Sequence, residues 1–120
     1  MKNIDLRRQE WSIKEGYRKT ILADGDDLGD ESTLTQIVAV PPNNRVKPHF
    51  HRNTHEFIYV IGGEAALRIN GETRIMQPGD MIVTQPGDVH EVVNDSDRPW
   101  EALVFKTNYK IGDSYWPDSE

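Results

Sequence analysis

The chain contains no cysteine. Disulfide staples, cysteine-ligated zinc, iron–sulfur clusters and thiol nucleophiles are therefore excluded. The lack also fits a cytoplasmic setting, where disulfides are rare. Long hydrophobic runs are missing too. Nothing approaches the ~20 apolar residues that a membrane span requires, and Met1 to Glu10 is charged, with no apolar stretch of signal-peptide type. The expectation is a soluble, intracellular protein with no membrane partner. Basic charge is scarce: the net charge is −6, and Arg7-Arg8 and Arg18-Lys19 are short, separate pairs. Nucleic acid is not an expected partner, because its phosphates demand clustered lysine and arginine. Internal repeats, low-complexity tracts and any long helical pattern are absent as well.

What is present is a single-domain length of 120 residues, enough for one hydrophobic core, with 36% hydrophobic residues gathered in short blocks. Those blocks read as strands. Thr33 to Val40 is rich in β-branched residues and stops at Pro41-Pro42. Phe57 to Ile61 stops at Gly62-Gly63. Ala65 to Ile69 and Thr73 to Met76 flank Asn70-Gly71-Glu72, and Asn-Gly is the strongest short hairpin signal. Met81 to Thr84 lies between the turns Pro78-Gly79-Asp80 and Pro86-Gly87-Asp88. His90 to Asn94 and Trp100 to Lys106 complete the set, and Trp11 to Ile13 and Tyr17 to Leu22 offer two short strands ahead of it. Many short strands with regular turns point to a sandwich or barrel. The acidic stretch Asp24 to Glu31 resembles half a calcium loop, but it lacks the regular oxygen ligands and the closing glutamate. It reads as a mobile acidic loop. Tyr115 and Trp116, near the end of the chain, read as packing that covers a core edge or a partner subunit.

The four histidines carry the chemical signal. His49, His51 and His55 fall within seven residues, and His90 follows a tight turn. On a strand, residues two apart share a face, so His49 and His51 point to one side and Phe50 to the other. Glu56 follows the polar bend Arg52-Asn53-Thr54, and His90 opens a later strand that can bring it from across a barrel. Imidazoles and a carboxylate buried side by side are costly without a cation and mutually stabilising with one. Either Glu56 or His55 can serve as the third group after the bend.

The residues from His49 to Asn94 also resemble the cupin family. The first family motif, G-x5-H-x-H-x3,4-E-x6-G, matches at His49, His51, Glu56 and Gly63, with Asn43 in place of its leading glycine. Asparagine tolerates the left-handed conformation that such a turn needs. The second motif, G-x5-P-x-G-x2-H-x3-N, matches at Gly79, Gly87, His90 and Asn94, with Gln85 in place of the proline and Pro86 one position later. The linker Glu64 to Pro78 is about as short as the family uses. The resemblance implies an all-β cupin-type double-stranded β-helix, a jelly-roll barrel. Residues 1–120 would form a single cupin domain, with a core barrel at about 33–107, N-terminal strands within 1–32 and a C-terminal tail at 108–120 as extensions. It also implies one divalent metal ion (Fe, Mn, Zn or Ni) held by His49, His51, Glu56 and His90, with Glu56 preferred over His55 because a carboxylate is the family's usual third ligand.

Four protein ligands leave about two positions free on a six-coordinate ion. An open ion can bind substrate, polarise a carbonyl or acidify water. The expected function is a metal-dependent enzyme of oxygenase or isomerase type acting on a small molecule. The alternative is a non-catalytic binding or sensing module that holds its ligand through the metal. Gln36 lies on either the inner or the outer face of its strand. Tyr59 reads as packing, and Arg68 and Arg74 read as exposed. No histidine is left over for a Ser-His-Asp arrangement. A homodimer is expected, with the N-terminal strands and the aromatic tail covering a neighbour's strand edge.

Overall fold

A computed structural model describes residues 1–117; the last three residues of the expected tail, 118–120, lie outside the described residues. Among the described residues a 3-10 turn (Leu6–Arg8) precedes ten strands and one short α-helix: β1 (Ser12–Ile13), β2 (Arg18–Ala23), α1 (Gly25–Leu28), β3 (Leu34–Val40), β4 (Asn44–His49), β5 (His55–Gly62), β6 (Ala65–Ile69), β7 (Glu72–Met76), β8 (Met81–Thr84), β9 (His90–Asn94) and β10 (Trp100–Thr107). They form two antiparallel sheets, β1-β2-β3-β10-β5-β8 and β4-β9-β6-β7. The all-β sandwich or barrel expected from the turn spacing is observed, in the jelly-roll form that the family resemblance implies. Asn70 and Gly71 both take positive φ, as the hairpin between β6 and β7 requires. Asn43 likewise sits at φ 60 where the motif calls for glycine. At Gly63 a side chain would run into the carbonyl of Pro99, so this glycine is needed for close backbone approach as well as for its φ of 76.

The acidic stretch differs from expectation. It carries the helical turn α1 rather than a mobile loop. Asp24 and Asp27 cap each other reciprocally, each side chain accepting from the other's backbone N–H at 3.1 and 3.0 Å. Gly29, at φ 76, ends the turn. Lys2 Nζ also meets Asp27 at 2.8 Å.

The space between the sheets is graded from apolar to polar. On β5 the inward row reads Val60, Ile58, Glu56; on β10 it reads Trp100, Ala102, Val104, Lys106; on β9 it reads Asn94, Val92, His90. The apolar end is sealed by Trp100, 1% exposed, whose indole N–H donates to Met76 O at 3.2 Å. Asn94 closes the same end. Its amide donates to Val40 O at 2.9 Å and Arg98 O at 2.8 Å, and its oxygen accepts from Ser96. The polar end is left for chemistry. No helix among the described residues is long and apolar enough to cross a membrane.

Candidate metal centre

Strand register assembles the polar layer. Across β5 and β10, Glu56 pairs with Lys106, and across β5 and β8 with Thr84. Across β4 and β9, His49 pairs with His90. A β-bulge makes this last pairing possible. The register jumps from Val46↔Val92 to His49↔His90, so Lys47-Pro48 carries one extra residue. Without it, His49 would share a face with Lys47 and Arg45 and point away from the core side that Val46 occupies. Pro48 lacks a backbone donor and suits such an irregularity. β4 ends at His49. The chain stays extended through Phe50, whose backbone exchanges two hydrogen bonds with Tyr115 at 3.0 and 2.9 Å, and this returns His51 to the side of His49.

The ligand-type atoms of His49, His51, Glu56 and His90 lie within 4.8 Å of one another, and all four residues are buried. His55 is not in this group; one residue earlier on β5, it faces the other way. Each imidazole of the group is oriented through Nδ1. His49 Nδ1 meets Lys47 O at 2.8 Å, His51 Nδ1 meets Asp113 O at 2.8 Å, and His90 Nδ1 meets Asp88 O at 2.9 Å. A carbonyl can only accept, so the ring proton sits on Nδ1 and leaves the Nε2 lone pair bare. Yet the Nε2 atoms of His51 and His90 each lie 3.0 Å from Glu56 Oε1. Two bare lone pairs against a carboxylate repel unless a positive charge sits among them. The charge is either a second ring proton or a metal ion. Ligand atoms at right angles about an ion with bonds of about 2.1 Å are about 3.0 Å apart. The donor set, its spacing and the carbonyls that orient the rings all fit a divalent cation.

The electrostatics of the metal-free group point the same way. Burial and the neighbouring His90 push the His49 imidazole down to about 3. Burial opposes charge on Glu56, but hydrogen bonds from His51 and His90 and the charge of Lys106 hold its carboxyl well below the usual range. His90 is raised because contact with Glu56 outweighs its burial. Thr84 adds a hydroxyl bond to Glu56 Oε1 at 3.2 Å.

The four line one end of a cavity of about 80 Å³ between the sheets. Gln36 faces it and is 3% exposed, so the inner placement holds. Tyr59 is half-buried away from the cavity, and Arg68 and Arg74 are exposed. Two contributions from the tail were not anticipated. Trp116 stacks on His49, with ring centroids 4.5 Å apart and planes at 29°, and Tyr17 lies 6.5 Å beyond it. The expected packing role is therefore a cover over one of the four residues. Asp113 anchors the bend between His51 and Glu56. Its carboxylate accepts from the backbone N–H groups of Arg52, Asn53 and Thr54 at 3.0, 2.9 and 2.9 Å, and from the Thr54 hydroxyl at 2.7 Å. These bonds outweigh burial and hold its carboxyl down at about 2. The only sequence signal for it is the bend itself, whose several donors must find an acceptor somewhere.

Comparison with known proteins gives a consistent result. A model of the cupin domain family matches residues 36–106. The polyketide cyclase RemF from Streptomyces resistomycificus superposes with a TM-score of 0.84 at 24% identity, over 100% of this chain and 87% of that one. A predicted oxalate decarboxylase from Thermotoga maritima gives 0.82 at 18% identity, over 89% and 99%. A sugar phosphate isomerase of the cupin superfamily from Silicibacter pomeroyi gives 0.79 at 25% identity, over 98% and 83%. Among curated proteins, none matches the sequence.

Proposed function

This chain belongs to the cupin domain family, and from that membership we propose that it is a metal-dependent enzyme acting on a small polar molecule. His49, His51, Glu56 and His90 would hold one divalent cation. The observation that carries this reading is the gathering of three Nδ1-anchored imidazoles and one carboxylate within 4.8 Å, two of the rings 3.0 Å from Glu56 Oε1, an arrangement that only added positive charge makes favourable. The names of the structural neighbours span decarboxylation, cyclisation and isomerisation, so the fold does not choose the reaction.

The bound cation would supply Lewis acidity toward a carbonyl or hydroxyl of the substrate. The chain's own residues do the rest. Glu56 carries the balancing negative charge. Trp116 and Tyr17 cover the opening and limit water entry. Lys106 Nζ, 3.8 Å from Glu56 Oε2 and facing the cavity, can hold or deliver a proton next to the reacting carbon. Of the oxygenase and isomerase readings, a proton-relocating isomerisation makes direct use of Lys106. Oxygenase chemistry does not require it.

Elemental analysis of protein purified without chelators tests the metal. One divalent ion per chain is expected, lost in a His51→Ala, His90→Ala double variant. Unchanged metal content in that variant would sink the assignment. A loaded protein that turns over no small carbonyl compound and consumes no oxygen would move the reading to a ligand-holding module.

A further inference from the structure

Two lysines stand in the cavity wall with little negative charge to balance them. Lys106, on β10, is 6% exposed and makes no hydrogen bond among the described residues; its nearest acidic oxygen is Glu56 Oε2 at 3.8 Å. Lys19, on β2, is half-buried and in no ion pair among the described residues. Burial, then the charges of Lys106 and Lys14, lower its ammonium pKa. A buried cation is costly without a counter-charge. Glu56 Oε2 offers Lys106 a counter-charge at 3.8 Å, but the same single charge is shared with His51, His90 and Thr84 through Oε1. With a divalent cation bound, the cavity holds more positive than negative charge, in a chain whose net charge is −6.

The same wall holds an unpaired acceptor. Gln36 Oε1 is buried and has no hydrogen-bond partner among the described residues. Such groups are rare in native interiors and call for a donor. Outside lies a larger cavity of about 530 Å³ that shares Lys19 and Lys106 with the inner one and adds Lys14 and Lys47, the latter paired with Glu15 at 2.7 Å. Four of the chain's six lysines therefore line one entrance, which favours the approach of anions.

We propose that Lys19, Lys106 and Gln36 form a carboxylate-binding subsite beside the metal centre, and that its ligand is a short hydroxy acid. The carboxylate sits between the two ammonium groups and offsets one of their two positive charges, and the hydroxyl donates to Gln36 Oε1. Size sets the length. At about 10–15 Å³ per water-sized site, 80 Å³ has room for about five to eight non-hydrogen atoms, the size of a three-carbon acid. The assignment of this molecule as substrate rests on the metal-dependent reading above; the anion subsite itself does not.

Calorimetric titration with lactate, its neutral amide lactamide, propionate and inorganic phosphate, on metal-free and Mn(II)-loaded protein, tests the subsite. Lactate should bind at least about tenfold more tightly than lactamide, and Lys106→Met and Lys19→Met should each remove about tenfold of that affinity while leaving lactamide unchanged. Gln36→Leu should abolish the preference for lactate over propionate. Lys19 is half-buried, so its variant keeps the test open if Lys106→Met misfolds. Equal binding of lactate and lactamide, or full lactate affinity in both lysine variants, overturns the proposal. Lysine-dependent binding of phosphate but not lactate overturns it in favour of a phosphate ligand. Lysine-dependent lactate binding to a protein that elemental analysis shows takes up no metal would leave the subsite standing and remove the metal-dependent reading.

Discussion

Asp113 offers the sharpest test of how the candidate metal centre is built, because it lies 57 or more positions from His49, His51 and Glu56 and is outside the group of four itself. Its carboxylate accepts three backbone N–H groups and one hydroxyl from Arg52 to Thr54, and its carbonyl accepts from His51 Nδ1. In Asp113→Ala the carbonyl remains but these carboxylate bonds go, together with a long one from the Asn53 side-chain amide at 3.5 Å. Hydrogen bonds to a charged group contribute about 1.5–3 kcal/mol each, and such values do not add within one cluster. Water can reach the part-buried Arg52 and Asn53 donors, whereas Thr54 is 1% exposed and its donors stay dry. A loss of about 3–4 kcal/mol is expected, dominated by the two Thr54 bonds. Asp113→Asn keeps one acceptor oxygen and should lose about half as much. The freed bend also loosens His51, so metal affinity should fall by about 10–100-fold, the usual consequence of losing a group that orients a ligand.

The assay is urea unfolding of the metal-free variants, followed by metal titration of the folded ones. The pH dependence has a definite sign. The Asp113 carboxyl is depressed to about 2, below its unfolded value, so its contribution is present above about pH 4 and disappears as pH falls through 2. The gap between wild type and Asp113→Ala should therefore close on acidification. A loss below about 1 kcal/mol at pH 7 with unchanged metal affinity would refute the idea that this residue holds the bend.

Asn94→Ala should cost about 2–3 kcal/mol in urea unfolding, because the Val40 and Arg98 carbonyls lose a buried donor, while metal content stays unchanged at the opposite end of the barrel. Metal-free protein should respond to pH through His90. Its raised pKa means that the protonated ring stabilises the fold below its unfolded value of about 6.5, and this contribution is lost as pH rises through the folded value. Added metal should therefore raise the melting temperature more at pH 8 than at pH 5.5, and metal should be released below about pH 6; an equal rise at both pH values counts against histidine ligation. Self-association should use the outer face of β5 and β8, where Phe57, Ile61, Met81 and Val83 are 40–59% exposed, because β2 of this chain already extends its own sheet and the tail folds back on its own barrel. Sedimentation at micromolar concentration should show a dimer that Phe57→Glu disperses; a wild-type monomer sinks this expectation.

Much of the barrel was legible because its turns are written in residue types with narrow conformational roles. Asn70-Gly71 and Asn43 take the positive φ values their chemistry permits, and strand limits from Leu34–Val40 to His90–Asn94 fall where Pro, Gly and Asp interrupt β-branched runs. Three features escaped that reading. The one-turn helix α1 depends on a reciprocal pair of aspartates in a segment whose composition alone suggests a loop. The inward turn of His49 depends on a bulge, and Pro48 was its one visible sign. Trp116 read as packing because no local pattern tells which ring it will cover.

Local spacing thus determined on its own that His49 and His51 would share a side, that Glu56 would open the strand after the bend, and that His90 would follow a tight turn. Each of these follows from chain geometry over a few residues. Only the tertiary structure decided that the four meet within 4.8 Å, that Gln36 is buried with its acceptor unpaired among the described residues, and that Lys19 and Lys106 share their cavity. It also decided that Asp113 would be the acceptor for the bend. The physical reason is register. Cross-strand pairing brings together residues tens of positions apart, and a one-residue slip or bulge reverses which side chains face inward.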